Sequence, residues 1–121
     1  KMYKIKFYPT RRGDYPVKDF IQQMDKKSRA KIWRYIALLE EHGPNLLRPY
    51  ADYVRDKIKE LRIRIQAGNV RIFYFFFLEG NFILLHAFKK KTQELPEKEI
   101  EQAKKNMEDF ILRYRQGEFE L

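Results

Sequence analysis

Apolar and polar residues alternate over residues 2–8, with Tyr3, Ile5 and Phe7 on one face and Lys4, Lys6 and Tyr8 on the other. A period of two predicts an opening strand from Met2 to Tyr8, ended by Pro9 and the turn Arg11-Arg12-Gly13-Asp14. The period then lengthens. Pro16 suits the first turn of a helix, where a missing N–H costs nothing, and Val17, Phe20, Ile21 and Met24 recur at helical spacing. Ser28 reads as the cap of a second helix with Ile32, Tyr35, Ile36 and Leu39 on one stripe, stopped at His42-Gly43-Pro44. Two adjacent amphipathic helices joined by a polar turn predict a helical hairpin.

Residues 45–56 contain Pro49, Tyr50 and Tyr53 without a clear period and read as a connection. Three strands follow, over residues 58–66, 70–78 and 82–88, separated by Ala67-Gly68-Asn69 and Glu79-Gly80-Asn81. Glycine-containing turns of about three residues predict an antiparallel meander. The middle strand is apolar on both faces apart from Arg71, which places it at the centre of a sheet covered on both sides. A basic loop over residues 89–96 leads into a last helix from Glu97 to about Arg115, carrying Ile100, Ala103, Met107, Phe110, Ile111 and Tyr114 and closed by Gly117. The expected fold class is α+β, one β-α-α-β-β-β-α domain over residues 1–121.

Composition narrows the chemistry. A chain of 121 residues can bury a core without staples. With no cysteine there is neither a disulfide framework nor a thiolate nucleophile or ligand. Two distant histidines, His42 and His86, do not make a structural zinc site, so neither metal nor cofactor is expected. The longest apolar run, residues 72–78, falls far short of the roughly 20 residues of a membrane helix. No apolar leader precedes the first strand, and the expected compartment is the cytoplasm. No carboxylate pair, phosphate-binding glycine loop or Ser/His/Asp arrangement stands out, which argues against most small-molecule enzymes.

Charge changes the picture further. Lys and Arg number 26 against 17 Asp and Glu, a net +9. Residues 1–80 hold 18 bases and nine acids, whereas residues 81–121 hold eight of each. A one-sided basic field favours a polyanion, through release of condensed counterions. Nucleic acid and an acidic protein partner both fit.

On the strand Glu60-Leu61-Arg62-Ile63-Arg64-Ile65-Gln66, Leu61, Ile63 and Ile65 point to the core. Arg62 and Arg64 then share the opposite face about 7 Å apart. Arg71 lies across a tight turn, and its face carries Phe73, Phe75 and Phe77, so it needs a polar cleft or a buried partner. Three guanidiniums repel unless an anion lies between them, and their planar forks suit phosphate oxygens. The blander reading leaves Arg62 and Arg64 on a solvated face, with Glu60 neutralising one of them. The Lys89-Lys90-Lys91-Thr92-Gln93 segment leaves the meander at the end that holds Arg64 and Arg71, so five or six cations converge at one sheet corner with aromatics interleaved, as single-stranded RNA recognition requires. His86, expected on a face with Phe82, Leu84 and Phe88, is either a packed ring or a general acid-base. His42 reads as a cation at a helix C-terminus.

Four segments in order are similar to the RelE/HigB toxin superfamily, in particular its phage-derived HigB-like branch: Leu61-Arg62-Ile63-Arg64; Val70-Arg71-Ile72-Phe73-Tyr74; Leu84-Leu85-His86-Ala87-Phe88-Lys89-Lys90-Lys91-Thr92; and Pro96-Glu97-Lys98-Glu99-Ile100-Glu101-Gln102-Ala103. The resemblance is best over residues 55–110. It implies a compact RelE-like fold, a twisted antiparallel sheet with the N-terminal helical hairpin and the C-terminal helix packed on it. It also implies the toxin of a type II toxin–antitoxin system, a metal-independent endoribonuclease that cleaves mRNA in the ribosomal A site. The ribose 2′-hydroxyl would attack its own 3′-phosphate, leaving a 2′,3′-cyclic phosphate and a 5′-hydroxyl. The resemblance puts Arg62, Arg64, Arg71, Lys90 and His86 in the catalytic set; Lys57, Lys59, Lys89 and Lys91 are the candidate RNA-binding residues. It implies a HigA-like helix-turn-helix antitoxin as partner, with operator DNA reached only through that antitoxin. Where RelE itself has a late catalytic tyrosine this chain has Pro96, which leaves the proton acceptor open between a lysine, His86 and positioning alone. The alternative is a non-catalytic RNA- or DNA-binding or protein-interaction module of the same fold.

Overall fold

A strand whose residues 70–75 are all buried, with apolar side chains on both faces, fits only between two layers, and that requirement organises the fold. The structure, a computed structural model, describes residues 3–121; Met2, in the predicted first strand, lies outside the described residues. In chain order the elements are β1 (Lys4–Phe7), α1 (Pro16–Gln22), α2 (Lys26–His42), a single 3-10 turn at Gly43–Asn45, β2 (Ala51–Arg55), β3 (Ile58–Ile65), β4 (Gly68–Phe77), β5 (Asn81–Lys90) and α3 (Glu97–Arg115). They build one five-stranded sheet in the order β1-β5-β4-β3-β2. The α+β class expected from the pattern is what the chain adopts. No helix among the described residues is long and apolar enough to cross a membrane.

β4 alternates between the two layers. Ile72 and Tyr74 join Val17, Ile21, Ile32, Ile36 and Leu39 under the helical hairpin. Phe73 and Phe75 join Ile83, Ile100, Ala103, Met107 and Phe110 under α3. The helical stripes read from the sequence are therefore the buried faces.

Four features depart from the sequence reading. Residues 51–55, read as part of a connection, form the edge strand β2, antiparallel to β3 with an irregularity between Tyr53 and Arg55. β1 pairs with β5 in parallel, so the sheet is mostly rather than wholly antiparallel. Asp25, not Ser28, caps α2: its side chain accepts the Ser28 N–H at 3.2 Å, leaving Ser28 buried inside the first turn. The turn between β3 and β4 tightens to Gln66-Ala67, because pairing continues to Ile65 and Gly68.

β5 carries a bulge that the alternating pattern does not announce. Phe73 pairs with His86 and Tyr74 with Leu84, leaving Leu85 without a partner across β4. The extra residue shifts the phase of the strand. Phe82 and Leu84 face the helical hairpin, whereas Leu85 and Phe88 face α3. The displaced Leu85 carbonyl is not orphaned, since Asn106 of α3 donates its Nδ2–H to it at 2.8 Å. Asn106 is only 8% exposed, and Gln102 donates to its Oδ1 at 2.9 Å.

Side-chain contacts tie the two chain ends together. The Tyr8 hydroxyl donates to Asp109 Oδ2 at 2.6 Å, and Arg113 donates both to that oxygen at 2.9 Å and to the Pro9 carbonyl at 2.6 Å.

The bulge makes a stability prediction. Asn106→Leu keeps the branched shape but removes the donor and strands the Leu85 carbonyl in the core, at a cost of about 1–3 kcal/mol. Urea unfolding of the two proteins measures it; equal midpoints would show that the carbonyl finds another donor.

Candidate functional site

The two strands of the central hairpin place the cations. On β3, Leu61, Ile63 and Ile65 enter the core under the helical hairpin, so Glu60, Arg62 and Arg64 fall on the α3 face. Register sets Arg62 opposite Arg71, and Arg64 opposite Asn69 on β4. Asn69 in turn pairs with Lys90 at the end of β5. α3 starts at Glu97 and covers Phe73, Phe75 and Ile83, leaving this end of the same face without a lid. What remains is an open cavity of about 650 Å³. Its floor is Glu60, Arg62, Arg64, Asn69 and Arg71; Lys90, Lys91, Thr92, Gln93 and Leu95 wall one side, and Arg48, Asp52 and Tyr53 the other. Six cations and two carboxylates share it.

Arg71 is 7% exposed and Glu60 4%, so the floor holds a buried ion pair. Arg71 Nε lies 3.1 Å from Glu60 Oε1, yet neither atom meets hydrogen-bond geometry, and the attraction is Coulombic. Burial pushes the Glu60 carboxyl above the usual carboxylate range, against the pull of Arg71 and Arg62. The same burial draws Arg71 down and Glu60 draws it back, and a guanidinium in that balance stays charged. Arg62 Nη1 lies 3.9 Å from Glu60 Oε2 and 3.7 Å from Asp52 Oδ2. Asp52 is engaged from the other side by Arg48, whose Nε donates to it at 2.8 Å and holds its carboxyl below the ordinary range.

Arg64 is exposed at the mouth and has no ion-pair partner among the described residues, so its fork is available to an incoming anion. Lys90 is occupied differently. Its Nζ donates to the carbonyl of Thr92 and, at 2.8 Å, to that of Gln93, folding the loop back over the end of β5. Lys91, exposed on that loop, presents the freer ammonium.

Of the residues singled out from the sequence, Arg62, Arg64, Arg71, Lys90 and Lys91 meet in the cavity. Lys89 points to the other side of β5, next in alternation to Lys90. Lys57 sits in the turn between β2 and β3, and Lys59 lines a separate hollow with Leu46 and Leu47. The bulge places His86 beside Phe73 and Phe88, its ring stacked on Phe88 at 5.8 Å, rather than on a face with Phe82 and Leu84. Its Nε2 is 2.7 Å from Glu99 Oε1 of α3, and it does not line the cavity. Arg48, Asp52 and Tyr53 enter the site unannounced, because residues 45–56 carry no clear period of their own. The strand formers Tyr53-Val54 were the available signal, masked by Pro49 and the lack of alternation.

The buried pair can be tested by a double-mutant cycle. Arg71→Met leaves Glu60 uncompensated and costs about 3–5 kcal/mol at neutral pH, and adding Glu60→Leu recovers most of that. The loss also shrinks on acidification. A carboxyl whose folded pKa is raised binds its proton more tightly when folded, so that contribution is full below the ordinary carboxylate pKa and is lost as pH rises through the raised value. Urea melts of the four proteins at acid and neutral pH give the coupling; additive losses would mean the two side chains do not interact.

Comparison with curated proteins finds no match. A family model described as phage-derived protein Gp49-like (DUF891) matches residues 19–108 of the 121, which includes every residue lining the cavity. The chain belongs to the Gp49-like family of phage-derived proteins.

Proposed function

We propose that this chain is the toxin of a type II toxin–antitoxin module, an endoribonuclease that cuts mRNA in the ribosomal A site without a metal. The observation that carries the reading is the uncovered sheet corner, where Arg62, Arg64, Arg71 and Lys91 surround a space open to solvent and large enough for a phosphodiester and its ribose. The Gp49-like family and the RelE/HigB resemblance of the strands that build the corner support the same reading.

The chemistry follows from the charge. Attack of the 2′-oxygen on phosphorus makes a pentacovalent phosphorane with more negative charge than the diester, so cations fixed beforehand stabilise it more than the ground state. Arg71, paired on its Nε edge with Glu60 and with Nη1 toward the Val70 carbonyl, can offer Nη2 to a phosphate oxygen. Arg64, exposed at the mouth, is free to take a neighbouring phosphate, and Lys91, the freer ammonium of the wall, can supply the proton that a leaving 5′-oxygen needs. A HigA-like helix-turn-helix antitoxin would silence the protein by covering this corner, and the complex would reach operator DNA through the antitoxin. Cytoplasmic action follows from the ribosomal substrate.

Brief induction in translating cells should arrest growth and produce new mRNA 5′ ends bearing hydroxyls, mapped by sequencing. Arg71→Lys keeps the charge opposite Glu60 but removes the fork, and should lower cleavage about 10²-fold or more while the fold persists. Arg64→Ala, at an exposed position, should weaken substrate binding with little change in thermal stability. Salt-dependent RNA binding with no new 5′ ends would instead make the chain a binding module.

A further inference from the structure

The proposed cleavage needs a group to take the proton of the 2′-hydroxyl, and the cavity contains few that can. Guanidiniums have no acceptor lone pair. The Lys90 ammonium is spent on two carbonyls, and Lys91 is exposed at the mouth. Asp52 is tied by Arg48 and held as a weak base. His86 lies outside the cavity with Nε2 on Glu99.

Glu60 is different. Its side chain is 5% exposed, it lines the cavity floor, and Oε1 accepts no hydrogen bond from any described residue. A carboxylate among cations meant for a phosphate weakens their field, and burying it with an unused oxygen adds a desolvation cost. Two neighbours on the same face bracket it: Arg71 across the β3–β4 ladder at 3.1 Å, and Arg62 two residues along β3 at 3.9 Å. A phosphate seated on those two guanidiniums brings its ribose 2′-oxygen over the carboxylate.

Resting on the proposed nuclease reading, we propose that Glu60 is the general base of the reaction, accepting the 2′-hydroxyl proton while Arg71 and Arg62 hold the phosphate. The 2′-O–H bond breaks to Glu60, the 2′-oxygen bonds to phosphorus, and the bond from phosphorus to the 5′-oxygen breaks. The departing oxygen takes a proton from the Lys91 ammonium. Glu60 then gives its proton to water and Lys91 regains one. Burial tunes the base, since a carboxyl raised toward neutrality accepts a proton more readily than an ordinary one. The charged groups that set its titration are Asp52 on β2, Arg62 on β3, Arg71 on β4 and Lys90 on β5.

The test is single-turnover cleavage of a short mRNA on programmed ribosomes, across pH, with wild type, Glu60→Gln and Glu60→Asp. Glu60→Gln should cleave about 10²–10⁴-fold more slowly and lose the acidic limb of the rate profile. It should still bind an mRNA carrying a 2′-deoxy residue at the cleavage site, which cannot react. Glu60→Asp should be slower than wild type but keep the limb. Wild-type rates with Glu60→Gln, or an intact acidic limb in that variant, would overturn the assignment and leave the nuclease reading standing. If Glu60→Gln fails to fold, as judged by its melt, the wild-type profile and Glu60→Asp decide: a flat profile, or an unslowed Asp variant, overturns it. Absence of cleavage by wild type on ribosomes overturns the nuclease reading and this one together.

Discussion

The structure turns on one charge placed in the middle strand of its sheet. Arg71 sits among residues of β4 that are otherwise apolar on both faces, and a guanidinium there is tolerated only with a partner and an opening. Glu60, one strand over, is the partner. The opening exists because α3 begins at Glu97 and covers only the far part of the face. Had the helix extended over this corner, the arginines would have needed burial or removal; because it does not, they line a cavity. The hydrophobic coverage of the sheet and the location of the site are thus one constraint seen from two sides.

Elements with strong periodicity were legible from sequence: the apolar stripes of α2 and α3, the three-strand meander, and the central position of β4. So were the cations that share a face at period two, Arg62 and Arg64, and the need of Arg71 for a partner. What escaped shares a physical cause: it depends on contacts between segments distant in the chain. β2 has little pattern of its own and is a strand because β3 offers it an edge. The parallel placement of β1 follows from how α1 and α2 return across the sheet. The bulge at Leu85 is stabilised by Asn106, 21 residues away. Its displacement of His86 from the expected face, toward Glu99, could not be seen in a strand read as strictly alternating.

Glu60 shows the same limit within the site. In the sequence it is one more polar residue on a face that could be solvated. Register places it between Arg62 and Arg71 on the cavity floor, where it is almost wholly buried, so its role depends on burial rather than on residue type. Arg48 and Asp52 belong here too, since their mutual hydrogen bond steadies one wall and leaves Arg62 shared between two carboxylates.

The contacts that join the chain ends bear on how the fold assembles. β3, β4 and β5 meet through short turns, so their pairing closes small loops and costs little chain entropy. β1 has β5 as its one neighbour in the sheet order, in parallel, and its end is anchored by a Tyr8–Asp109 bond spanning 101 positions. Both docking surfaces must exist before that strand has anywhere to bind. Loop-closure entropy therefore favours an order in which β1, which precedes the other four strands in the chain, is the one held last.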